Sequence, residues 1–132
     1  MTTHAKGDFD VKLVPVPLAD NVAPAILGKF TIDKQFHGDL IATSKGEMLA
    51  AGTDTKGSAG YVALERVAGT LHGRKGTFYL QHNGIMTRGQ GQLAVVVVPD
   101  SGTGELAGLT GTMEIKIEGG KHFYDFAYTL AP

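Results

Sequence analysis

The sequence predicts an all-β protein, a single closed eight-stranded antiparallel barrel, with an open β-sandwich as the alternative. Three observations carry this. Apolar and polar residues alternate through most of the apolar segments, and a 3.6-residue period is nowhere evident. The 19 glycines fall between short apolar runs rather than in one tract. Eight such runs are joined mainly by short turn signals, and a meander of this kind is most stable when closure removes its exposed edges.

The first strand is "GDFDVKLV", with Phe9, Val11 and Leu13 alternating against Asp8, Asp10 and Lys12. "PVPLADNVAP" (15–24) reads as a Pro-rich connection, because a continuing ladder cannot use those prolines. "ILGKFTIDKQF" sets Ile26, Gly28, Phe30, Ile32 and Phe36 on one side, with Lys34 as an exception near the end. The third run, "DLIATSKGEMLAA", is less regular and breaks near Ser44-Lys45-Gly46. After the turn-forming "GTDTKGSAG" (52–60) come "YVALERVAG" and "GTFYLQHNGIM" as fourth and fifth strands. "QLAVVVV" is the sixth, apolar enough to be covered on both faces. "GTMEIKIEG" and "KHFYDFAYTL" complete the set around a Gly119-Gly120 hairpin signal.

At 132 residues the chain is expected to form one domain, spanning 1–132, with a real core. Its net charge of −1 and scattered Lys and Arg argue against nucleic acid or an anionic membrane as partner, since both require a basic footprint. With no cysteine there is no disulfide, thiolate nucleophile or Cys-ligated metal. No apolar h-region marks the polar N-terminus, and the run Leu93 to Val98 is too short to span a bilayer. The expected setting is the cytoplasm.

Asn83-Gly84 is a strong hairpin signal, but turning there would pair residues 76–82 with the glycine-rich "IMTRGQG". A turn around Gly89-Gln90 instead sets His82 opposite Val97 and Gly84 opposite Val95, apolar face on apolar face. Asn83-Gly84 is therefore expected inside a strand. A turn centred on Gly73-Arg74, of type II′, then places Glu65 opposite His82, Val67 opposite Leu80 and Tyr61 opposite Met86, all facing inward. Small residues Ala63, Gly69 and Gly84 leave space nearby. The Gly119-Gly120 hairpin sets Tyr124 opposite Ile115 and Phe126 opposite Met113, and also faces Glu114 with Asp125. Like charges so placed are tolerable only if exposed.

Glu65 and His82 are the candidate catalytic pair, a general acid and base in an apolar wall. The competing reading is a buried pair that only fixes register. Tyr61, Phe78, Leu80, Met86, Val97 and Tyr124 are the candidate ligand-binding residues. Glu47 is a further weak candidate, and Ser44, Ser58 and Ser101 lie in turn-like sequence with no nucleophile elbow. His4, His37, His72 and His122 show no metal-ligand spacing, so no metal or other cofactor is expected. "GTGELA" (102–107) fits the dinucleotide fingerprint, but Gly108 and Gly111 follow where a helix would be needed to hold a pyrophosphate.

The pattern "GYVALERVAGTLHGRKGTFYLQHNG" followed by "VVPDSGTGELAGLTGTMEI" resembles a bacterial family of unknown function with an allene oxide cyclase-like (dirigent-like) barrel. The resemblance covers roughly residues 6 to 130 and is most specific over 60 to 115. It implies the barrel fold and a Gly-rich crossing between two late strands, but no activity and no catalytic residues. Three functions stand in order. The first is binding of a small, mostly apolar molecule inside the barrel. An isomerase- or cyclase-like enzyme using Glu65 and His82 comes second. Third is a structural or assembly protein with a filled barrel, forming a homo-oligomer through its outer face.

Overall fold

The computed structural model describes residues 2–18 and 27–130. The strands are β1 (Thr3–Val16), β2 (Leu27–Gly38), β3 (Leu40–Gly52), β4 (Ala59–Leu71), β5 (Arg74–Thr87), β6 (Gln90–Val97), β7 (Thr110–Glu118) and β8 (Lys121–Thr129). Each pairs antiparallel with its sequence neighbours, and β1 pairs with β8 to close the barrel. The expected barrel is present, and the sandwich alternative is excluded. Ile26, assigned to the inner face of the second strand, lies outside the described residues.

Three hairpins use two-residue loops: His72-Gly73, Arg88-Gly89 and Gly119-Gly120. Both loop residues have positive φ in each, at 46° and 80°, 45° and 89°, and 57° and 77°. That is the type I′ arrangement, whose twist matches the twist of the flanking strands. In the first two loops the glycine occupies the second position, where the sequence reading put it first. This moves both registers by two residues: Glu65 faces Leu80, Ala63 faces His82, and His82 faces Val95 rather than Val97. A two-residue shift keeps every side chain on its face. Asn83-Gly84 lies within β5, as hydrophobic matching requires. The last hairpin has the expected pairs, Tyr124 with Ile115 and Phe126 with Met113. Asp125, facing Glu114, is offset by His4 at 2.7 Å and Lys6 at 3.8 Å.

Other elements differ from expectation for identifiable reasons. β1 runs on through Pro15, but beyond Phe9 it is paired, among the described residues, with β2 alone, so a missing N–H on the other side costs no ladder bond. β3 does not break at Ser44. Ser44 is fully buried in mid-strand, directly opposite Lys34. Only one face of "QLAVVVV" is covered: Val95 and Val97 point inward while Ala94 and Val96 are exposed.

The two ends of the barrel are packed differently. One end is solid, filled by Phe36, Leu40, Leu71, Phe78, Leu80 and Phe126 among others. The Gly-rich crossing after β6 runs alongside β5, where the Val98 and Thr103 amides donate to the Tyr79 and Thr77 carbonyls. It then delivers Leu106 and Leu109 to this core through a single 3₁₀ turn, Gly104–Leu106. At the other end the wall loosens. β6 and β7 are paired only at Val96 and Thr112, while the other neighbouring strands share long ladders.

Candidate functional site

The open end encloses a cavity of about 610 Å³. It is bounded by the C-terminal halves of β1, β3, β5 and β7 and the N-terminal halves of β2, β4, β6 and β8. Most of its wall is aliphatic or aromatic, including Val11, Ile32, Met48, Met86, Leu93 and Ile115. Its polar groups are few: Lys34, Tyr61 and His82 lie together deep in the wall, with His122 and Gln92 elsewhere in the lining.

Behind that wall sits Glu65, 1% exposed and the organising charge of the site. Inward alternation on four adjacent strands brings its partners. Its Oε1 accepts from the Ser44 hydroxyl at 2.7 Å. Its Oε2 takes the Lys34 ammonium at 2.8 Å and His82 Nε2 at 2.5 Å. The Lys34 ammonium also lies over the rings of Phe9 and Phe36, 4.7 and 5.7 Å from their centroids. The Tyr61 hydroxyl lies 3.2 Å from His82 Nδ1; a neutral imidazole that gives its Nε2–H to the carboxylate has Nδ1 as an acceptor, so the phenol is the donor there. A carboxylate, an imidazole and a phenol thus form one hydrogen-bonded chain ending at the cavity. Among the described residues no buried side-chain polar atom lacks a partner.

Tyr61 owes its place to Gly84. The two are paired across β4 and β5, and a Cβ at Gly84 would lie 2.3 Å from Tyr61 Cε1. The ring covers the glycine and carries its hydroxyl to His82. The Asn-Gly dipeptide therefore serves as a seat for an aromatic ring rather than as a turn.

Burial by itself would raise the Glu65 carboxyl, but the His82 hydrogen bond and the Lys34 charge outweigh it and hold the group at about 2. The unfolded chain returns it to the ordinary value of 4.5. Between those values the unfolded state binds more protons, so stability is retained above the upper one and lost as pH falls through the lower. Acid is expected to remove about 3 kcal/mol through this group. Urea midpoints should fall between about pH 5 and about pH 3 in the native chain. An identical fall in Glu65→Gln would assign the acid sensitivity to other carboxylates.

The candidate residues divide between the two ends. Tyr61, His82 and Met86 line the cavity, with Glu65 directly behind. Phe78, Leu80 and Val97 do not line it; they are buried in the solid half, on the far side of the Glu65 layer. Tyr124 is there too, its hydroxyl donating to the His37 carbonyl at 2.8 Å and accepting from Leu40 N at 2.9 Å. Glu47 is on the outer wall, paired with Lys29 at 3.2 Å. His4, His37 and His72 each have an acidic or phenolic partner at the surface, and His122 joins the cavity wall. Among the described residues no three His, Asp or Glu side chains are grouped to hold a metal ion.

Sequence reasoning missed Lys34 and Ser44. The signal for Lys34 was its phase: it shares a face with Ile32 and Phe36 and so had to point inward, where only a carboxylate could receive it.

Comparison with known proteins places this barrel. A family described as a protein of unknown function, DUF3224, matches residues 5–128. The chain belongs to the DUF3224 family. A crystal structure of a DUF3224 protein of unknown function from Shewanella oneidensis MR-1 is 53% identical, with a TM-score of 0.94, covering 100% of this chain and 99% of that one. No curated protein matches. Neither the family description nor that structure names an activity for DUF3224 proteins.

Proposed function

We propose that this DUF3224 barrel binds a small, mostly apolar molecule in the cavity at its open end. The observation that carries the reading is a cavity of about 610 Å³ with an apolar wall and a few convergent polar groups at one place. Sites for small molecules have this form, at roughly 300–1,000 Å³ with a handful of placed polar groups. A packing requirement alone does not account for such a hollow, since protein interiors close to crystal-like density.

Titration with the neutral apolar fluorophore N-phenylnaphthylamine tests it. Saturable enhancement is expected in the native chain. Ala50→Trp, which puts an indole into the cavity opposite Tyr61, should abolish it. Leu64→Gln, on the exposed outer wall, should leave it unchanged. Binding that follows Leu64 rather than Ala50 would move the apolar site to the outside of the barrel.

Proton transfer on the bound molecule is a second reading, favoured by the Glu65–His82–Tyr61 chain that reaches the cavity. There Glu65 fixes the imidazole tautomer and Tyr61 passes the proton. A turnover that survives both Glu65→Gln and His82→Asn would eliminate it.

A further inference from the structure

We infer that the ligand carries a hydroxyl group, which it donates to the oxygen of Tyr61, and that its apolar body extends toward the barrel mouth. The inference rests on the binding reading above and specifies which chemical class that cavity takes.

Donors, acceptors and charge at the polar cluster are almost all engaged within the protein. Glu65 and Lys34 cancel each other; one Lys34 N–H goes to Glu65, and the ammonium's other two are left to the faces of Phe9 and Phe36. Both oxygens of Glu65 are engaged, by Ser44, Lys34 and His82. His82 donates its Nε2–H to Glu65 and uses its other nitrogen to accept from Tyr61. Burial and the charge of Glu65 both push the Tyr61 phenol up, which keeps its proton in place. What remains unspent beside His82 is the acceptor side of the Tyr61 oxygen.

Three headgroups then behave differently. A hydroxyl donates to Tyr61 and leaves the chain intact. A ketone has to take the proton that Tyr61 gives to His82, leaving Nδ1 bare in an apolar wall. A carboxylate adds a negative charge near Glu65 in a site whose charges already balance, and an unmatched buried charge is strongly disfavoured. The mouth suits the rest of the molecule. Leu13, Met86, Leu93 and Ile117 line it and are themselves about half exposed or more.

Displacement of N-phenylnaphthylamine by decanol, methyl octyl ketone and decanoate at neutral pH separates these cases. Decanol is expected to compete best and decanoate worst. Tyr61→Phe should weaken decanol roughly three- to tenfold relative to the fluorophore and to the ketone, the size of one net hydrogen bond. If the fluorophore binds but decanoate or the ketone competes as well as decanol, the hydroxyl assignment is overturned and the cavity reading stands. The same holds if Tyr61→Phe leaves decanol unaffected. If the fluorophore does not bind in the cavity, the binding reading fails and this inference with it.

Discussion

Glu65→Gln is expected to lower the unfolding free energy by about 3–5 kcal/mol, the cost of leaving one partner of a buried ion pair uncompensated. Lys34 is 5% exposed and, among the described residues, has the Glu65 carboxylate as its one anionic partner. The substituted amide would also turn N–H groups toward donors, since Ser44, Lys34 and His82 all donate to this carboxylate. Lys34→Met should cost less. It leaves the carboxylate with the Ser44 and His82 donors, so its oxygens stay hydrogen-bonded. The double variant Lys34→Met/Glu65→Gln should recover most of the loss, because it removes the stranded charge rather than exposing it. Urea unfolding of the four chains measures this. Simple additivity of the two single losses would show that the pair is not coupled.

Phe126→Ala is expected to cost about 3–5 kcal/mol, while Met86→Ala should stay within about 0.5 kcal/mol. Phe126 is fully buried, stacked on Phe78 at 5.8 Å and tilted against Tyr128 at 5.4 Å. Removing its ring leaves a void that surrounding strands cannot close, because the ladders on both sides of β8 fix their spacing. Met86 borders the cavity and is 46% exposed, so its truncation enlarges a space already open. Thermal unfolding of both variants checks the contrast. Equal losses would mean that the open end is packed as tightly as the closed one, which would count against the proposed binding site.

Most of the fold was legible because period-two patterning constrains an antiparallel sheet twice, in face and in register. The Gly119-Gly120 hairpin could be placed residue for residue. The two X-Gly hairpins were displaced by two residues, because a sequence shows where a glycine is but not which loop position it occupies. That displacement was harmless to the face of every residue and decisive for neighbours. It made Glu65 and His82 diagonal rather than directly opposed, with Ala63 opposite the histidine.

The candidate site was legible in part. The alternation that identified Glu65 and His82 as inward-facing also pointed Lys34 inward, but a lone lysine in an apolar run reads as a strand end until its partner is known. Ser44 was hidden in the same way by Lys45 and Gly46, which mimic a turn. The division of the barrel into a solid and a hollow half left no local signature. Phe78, Leu80, Val97 and Tyr124 have the same inward pattern as Tyr61 and Met86, and only their height along the barrel separates them.

The sequence by itself determined the strand count, the inner and outer faces, and the presence of a buried carboxylate and imidazole on adjacent strands. These follow from local rules, in which each residue's side alternates and each turn has a preferred chemistry. The tertiary structure decided what those groups meet. Closing the barrel brought Lys34 and Ser44 onto Glu65, laid Tyr61 over Gly84 to reach His82, and left one end unfilled above them. The physical reason is that hydrogen-bond partners and cavities depend on the height of residues along a closed sheet, and that height is set by the sum of all registers around the barrel.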